Sequence, residues 1–121
     1  MNDGAGMADK QFLFSGLIKL HILHHACRAE IYGAAISDEL SRHGYQLSDG
    51  TLYPILHGLE EKGLLRSRLQ RNGKESRRFY EVTTEGREAL DAARMKVQGL
   101  FGELFEEDGR SDLQQRKPSV R

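Results

Sequence analysis

Tryptophan is absent, proline occurs twice and cysteine once in 121 residues. Two prolines exclude a collagen-like or proline-rich repeat, since either needs proline at dense, regular intervals. A lone cysteine, Cys27, cannot close a disulfide within the chain, which agrees with a reducing compartment. No apolar run approaches the roughly 18 residues of a membrane span, and the opening MNDGAGMADK lacks a signal-peptide hydrophobic stretch. A cytoplasmic protein without membrane contact is therefore expected. Missing too are a Ser-His-Asp set, a phosphate-cradling glycine loop and a His-Glu-x-x-His helix, while Gly99 and Gly102 stand isolated. Neither catalysis nor a cofactor is expected.

Net charge is also lacking, with 18 basic residues balancing 18 acidic ones, but the balance conceals segregation. Between Lys62 and Arg87 eight basic residues meet three acidic ones, a local +5; from Glu88 to Asp108 six acidic meet two basic, a local −4. A polyanion would be drawn to the first stretch and repelled by the second. The length fits one domain, and folding at this size hides only about two-thirds of the extended chain's surface, so a dimer interface would add usefully to a modest core. Apolar residues at 38% and charged ones at 30% suit a helical, surface-rich protein.

Residues 1–9 are rich in Gly, Asp and Ala and are expected to form a loose arm, as 108–121 are expected to form a disordered tail. From Phe12, the run FLFSGLIKLHILHHAC places apolar residues at 13, 17 and 20 and again at 14, 18 and 22, which is helical spacing on more than one face. Such a helix needs two partners, its own core and a second subunit. A second helix is predicted from about Tyr32 to His43, with Ile36 and Leu40 four apart and Gly44 placed to end it. In LSDGTLYPILHGLEEKGLL, Ser48 is a candidate N-cap and Asp49 suits the positive end of the helix dipole. Leu52, Ile55, Leu56 and Leu59 line one side, and Gly63 closes the helix. Pro54 falls beyond the first turn and is expected to distort it, unless the helix begins effectively near Thr51.

Alternating segments then flank an Asn72-Gly73 turn, the pattern of a β-hairpin. Leu65, Ser67 and Leu69 share one face of the first strand, and Arg78, Tyr80 and Val82 one face of the second. Thr83 is placed to cap a long helix to about Glu107, in which Leu90, Ala93, Val97, Leu100 and Leu104 form a two-heptad seam widened by Phe101 and Phe105. Such a seam asks for a partner helix.

Three short helices, a basic hairpin and a terminal helix describe a winged helix-turn-helix: mainly α with a small β-hairpin, residues 10–83 as the DNA-binding domain and 84–107 as a dimerisation helix. The run GTLYPILHGLEEKGLL, followed by RRFYEVTTEG, closely resembles the PadR family of bacterial transcriptional regulators from about Gly16 to Ala93. The resemblance is to the short subgroup, with a single helix after the wing. That family usually has Gly-Tyr-Glu-Ile where this chain has Gly33-Ala34-Ala35-Ile36. The resemblance implies a homodimeric repressor on double-stranded DNA, pairing through its first and last helices. It also implies that a small hydrophobic or phenolic effector between the dimer helices releases a pseudo-palindromic operator.

On the recognition helix the candidate DNA contacts are Ser48, Thr51, Tyr53 and His57, whose hydroxyl and imidazole groups can reach phosphates or base edges. The plainer alternative is that Ser48 only caps and Tyr53 only packs. On the wing the candidates are Asn72, Gly73, Lys74, Arg77 and Arg78, where cations replace condensed counterions, although Arg78 could instead stack on Tyr80. The candidate dimer interface comprises Leu13, Leu17, Leu90, Ala93, Val97, Leu100, Phe101 and Leu104; candidate effector contacts are Leu17, Phe101 and Phe105, for which plain interface packing is the alternative. Without tryptophan, any stacking on a flat ligand falls to phenylalanine.

Two rival readings remain. His21 and His25 share a helix face and Cys27 lies nearby, which would suit a metal- or redox-responsive regulator. The spacing lacks a second ligand pair, and no other cysteine could resolve an oxidised Cys27, so no metal is expected. Alternatively, the winged fold serves as an adaptor whose hairpin contacts an acidic protein.

Overall fold

The computed structural model describes the backbone of residues 3–107 and the side chains of 10–106; the tail expected over 108–121 lies outside the described residues. In chain order the elements are α1 (Asp3–Arg28), β1 (Ile31–Tyr32), α2 (Gly33–Arg42), α3 (Asp49–Glu61), β2 (Leu65–Asn72), β3 (Glu75–Val82) and α4 (Thr84–Phe101), followed by a π-helical turn, Gly102–Glu107. The architecture is a winged helix: helices with a three-stranded antiparallel sheet in the order β1-β3-β2. α1 is already helical from Asp3, inside the stretch 1–9 expected to be loose. Ala5, Met7 and Ala8 are good helix formers, and extending an existing helix avoids the cost of nucleation.

α2 and α3 end where glycines stand. At Gly44 (φ +90°) the amide donates to Ser41 O while Tyr45 N–H reaches back to Leu40 O; at Gly63 (φ +81°) the same pair of bonds joins Gly63 to Glu60 and Leu64 to Leu59. Each is a Schellman closure, in which a left-handed residue lets the chain turn back and satisfy the last carbonyls. Tyr45 and Leu64, the residues that follow, fold against the core. Pro54 lies inside α3 without breaking it, so the helix starts at Asp49 rather than near Thr51. Gly50, four residues earlier, carries no side chain to crowd the proline ring.

One apolar cluster joins the elements of the first part of the chain. α1 contributes Ile18, Ile22, Leu23 and Ala26; Ile36 and Leu40 come from α2, and Leu52, Leu56 and Leu59 from α3. The strands add Ile31, Leu65, Tyr80 and Val82, and α4 adds Leu90. No polar or charged residue is buried among the described residues. The chain divides into two compact units, Met1–Leu90 and Asp91–Arg121, so the division falls inside α4 rather than at its start. The first turns of α4 belong to the core because Leu90 buries there.

The hairpin pairs Leu65 with Val82, Ser67 with Tyr80 and so on to Asn72 with Glu75, leaving Gly73 and Lys74 as the two loop residues. The turn is thus one residue later than the Asn72-Gly73 signal suggests, with Asn72 as the last paired position. β1 is a strand the sequence pattern does not announce: Ile31 and Tyr32 pair with Tyr80 and Phe79. Two residues are too few to show alternation.

Thr83 fastens this hairpin to the helices on either side. Its hydroxyl donates to Gly63 O and accepts from the Gly86 amide at 2.9 Å, capping α4 as the sequence predicts, while its own amide donates to Leu64 O. Gly86 is pressed against that junction, since a Cβ there would stand 2.1 Å from Leu64 O and 2.6 Å from Val82 Cγ2. Gly86→Ala, ordinarily favourable within a helix, is therefore expected to destabilise the fold by about 1–3 kcal/mol. Urea unfolding measures this, and an unchanged or higher midpoint would show that the junction can relax.

Candidate nucleic-acid interface

α3 presents two kinds of surface. Leu52, Leu56 and Leu59 point into the core, whereas Tyr53, Pro54 and His57 are exposed. Ser48 occupies the N-cap position without making a side-chain cap bond; its hydroxyl instead donates to Thr51 Oγ1 at 3.3 Å. The expected capping role is therefore not seen. With its carbonyl taken by the Thr51 and Leu52 amides, Ser48 opens the helix through its backbone alone. The Thr51 and Leu52 amides are thereby engaged, which leaves the Asp49 and Gly50 N–H groups of the first turn to meet an anion.

Tyr53 has a packing role that the sequence offers only as an alternative. Its ring lies over Gly33 at the start of α2, where a Cβ would come 2.2 Å from the phenol oxygen. Any larger residue at 33 would have to push the tyrosine ring aside, and Tyr53 keeps 38% of its surface exposed. One side chain thus packs against the start of α2 while remaining on the surface. His57 is exposed one turn further on.

The two faces of the wing hold their cations differently. On one face Arg66 meets Glu81 at 2.8 Å, and Arg68 grips Glu30 with two donors, Nε at 2.9 Å and Nη2 at 2.6 Å. The hydrogen bonds from Arg68 hold the Glu30 carboxyl below its ordinary range. Arg68 also lies 5.0 Å from the Phe79 ring centre, and Arg77 covers the Tyr32 ring at 4.2 Å. The expected alternative for Arg78, stacking on Tyr80, is not what forms; the cations over rings are Arg68 and Arg77.

On the other face Arg78 Nη1 donates to Ser67 Oγ at 3.1 Å, and Ser67 donates from both its amide (3.2 Å) and its hydroxyl (2.8 Å) to Glu60 Oε2 on α3. The wing is thereby coupled to α3 through side chains. Asn72, Gly73 and Lys74 form the exposed tip, with Arg71 beside them. Of the basic residues that gave this stretch its +5, Arg66 and Arg68 are thus engaged by carboxylates. Arg71, Lys74, Arg77 and Arg78 make no ion pair among the described residues. The Glu30 clamp was not legible beforehand because its partner lies 38 residues away.

The remaining candidates fall into separate groups. On α1, Leu13 is 73% exposed and Leu17 is also exposed, next to Phe12 at 85%, a residue the spacing argument passed over. On α4, Leu90 is buried in the chain's own core and Ala93 is half-buried, while Val97, Leu100, Phe101 and Leu104 are exposed. Leu90 is therefore a core residue here, because it sits on the part of α4 that packs with the first unit. Phe101 and Phe105 lie 4.9 Å apart, both exposed.

His21 and His25 do share a face, with rings nearly parallel at 6.5 Å; His43, just past α2, approaches His21 to 4.5 Å, and His25 Nε2 lies 3.9 Å from Glu39 Oε1. Cys27 is packed against the core instead. Among the described residues no three His, Cys, Asp or Glu side chains form a group able to hold a metal ion. Nor is any described helix long and apolar enough to cross a membrane.

Burial, followed by repulsion from His43 and the other nearby histidines, pushes the His21 pKa below its usual value; burial does the same for His25, against the pull of Glu39. An imidazole whose folded pKa is depressed takes up its proton more readily when unfolded. Stability from this cluster is therefore fully present above the unfolded pKa of about 6.5 and declines as pH falls below it. The urea midpoint is expected to drop between pH 7.5 and pH 5.5, and to drop less in His21→Gln/His25→Gln. Equal pH dependence in the variant would place the effect elsewhere.

Residues 22–92 match the transcriptional regulator PadR-like family. The transcriptional regulator Rv3488 of Mycobacterium tuberculosis is 48% identical over 88 residues, covering 73% of this chain and 82% of the relative. Among solved structures, a PadR family transcriptional regulator from Eggerthella lenta superposes with a TM-score of 0.71 at 28% identity, over 86% of this chain and 92% of that one. A PadR-like transcriptional regulator from Bacillus cereus shares the fold at a TM-score of 0.64 and 24% identity, over 86% and 98% of the two chains.

Proposed function

Because this chain belongs to the PadR-like family of transcriptional regulators, we propose that it is a cytoplasmic homodimeric repressor that binds a pseudo-palindromic operator and leaves it when a small hydrophobic or phenolic effector binds. The observation carrying this reading is the Glu60–Ser67–Arg78 link. It ties α3 to the wing, which supports a docking in which the helix enters the major groove while the hairpin rides the backbone.

In that pose His57 and the exposed edge of Tyr53 face the bases, and Ser48, the Thr51 hydroxyl and the Asp49 and Gly50 amides of α3 face phosphate. Gly50 and Pro54 add little bulk on the exposed side, so the helix backbone approaches closely. Asn72, Gly73 and Lys74 reach along the duplex from the tip, and Arg77 and Arg78 displace counterions behind them. Two such helices in a dimer read half-sites about 34 Å apart.

The exposed Leu13 and Leu17 on α1, and the exposed Val97, Leu100, Phe101 and Leu104 on α4, are each apolar surfaces that a second copy would withdraw from water. The effector binds between the dimer helices, against Leu17, Phe101 and Phe105, and shifts the population away from the DNA-competent form.

Two measurements bear on this. Replacing Arg77 and Arg78 with alanine should weaken binding to every duplex and lower the slope of log affinity against log salt by about 2. Fluorescence anisotropy across a salt series reads the slope, and unchanged binding would remove the wing from the mechanism. Val97→Glu/Leu100→Glu should give monomers by light scattering; a persistent dimer would put the interface elsewhere.

A further inference from the structure

Between α1 and α3 runs a groove of about 460 Å³, and of its lining only Pro54 enters the regulatory reading above. Its size is within the range of small-molecule sites, about 300–1,000 Å³. Ile55, Leu59 and Leu64 give it an apolar floor, and Lys19 from α1 and Lys62 from the end of α3 bring the two cations of its lining. Neither lysine is ion-paired among the described residues. Gly58 keeps the groove open: it lines the wall, and a Cβ there would meet nothing within 4 Å.

We propose that this groove is a binding site for a small amphiphilic anion, its apolar body against Ile55, Leu59 and Leu64 and its negative head between Lys19 and Lys62. An apolar floor alone would accept any greasy molecule. Two ammonium groups with no acidic side chain in the lining select one whose far end is a carboxylate or sulfonate. The ligand is a free molecule rather than a bilayer, since a lipid surface would call for an extended basic face and this lining brings two lysines.

The groove lies along α3 itself. Pro54 also lines it, so the ligand rests on the segment where the helix lacks one backbone donor. An occupant wedged between α1 and α3 would shift α3, and through Glu60, Ser67 and Arg78 the wing with it. This consequence for DNA rests on the regulator reading; the binding itself does not.

The full chain titrated calorimetrically with decanoate, decanol and decyltrimethylammonium, each below its micelle concentration, tests the site. Decanoate is expected to bind at least about tenfold more tightly than decanol, and the cation not at all. Lys19→Glu/Lys62→Glu should reverse the order of the two ions, and Gly58→Leu, whose Cβ would enter open space at the groove wall, should weaken decanoate about tenfold or more. Circular dichroism confirms that both variants fold.

Equal affinity for decanoate and decanol, or decanoate binding unaltered in both variants, would overturn the assignment. So would the absence of binding to the wild type, the result expected if a second copy already covers the groove. Promoter-DNA binding by the ligand-free protein is measured alongside. Loss of that activity with decanoate binding intact would sink the regulator reading and leave the site standing.

Discussion

The hairpin is held at one end only, and most of what the molecule can do depends on that anchorage. An isolated two-stranded hairpin is marginal in water. Here its base is fixed by Leu65, Tyr80 and Val82 in the common core, by β1 along one edge, and by Thr83 bonding to both Gly63 and Gly86. Eight residues per strand then extend the ladder beyond the core, leaving the tip exposed. Without the buried base, the polar outer half would have nothing to hold it in register.

Charge is used twice along this ladder. Carboxylates engage Arg66 and Arg68 near the base, so those cations serve the fold more than any partner. These pairs are substantially exposed, and each contributes little to stability taken singly; their effect is on direction, because Glu30 ties the outer face to the chain just before β1. Further along, Arg77 and Arg78 are oriented by a tyrosine ring and a serine hydroxyl, neither of which neutralises them. A polyanion therefore meets fewer cations than the sequence count suggests, but ones already placed, with less side-chain entropy left to lose on binding.

Much of the fold was legible because it is written locally. Gly44 and Gly63 announce the ends of α2 and α3, Thr83 announces the start of α4, and strict alternation from Leu65 to Val82 gives the two faces of the hairpin. The site was less legible. Ser48 has the right identity and position for a cap but bonds to Thr51 instead, and Tyr53 is exposed yet also seated on Gly33. β1 escaped notice because a two-residue strand has no period; it exists only through its pairing with β3.

The sequence by itself determined the helical periods, the glycine-marked ends of α2 and α3, the segregation of charge and the likeness to a regulator family, since each depends on neighbours within a turn or two of the chain. Tertiary structure alone decided which arginines are engaged by carboxylates, which of the apolar residues on α1 and α4 go inside, and that Glu60, Ser67 and Arg78 join α3 to the wing. Those outcomes rest on contacts such as Arg68 with Glu30 and Tyr53 with Gly33, between residues far apart in sequence. No local pattern encodes such meetings, because they are set by how the elements pack around one shared core.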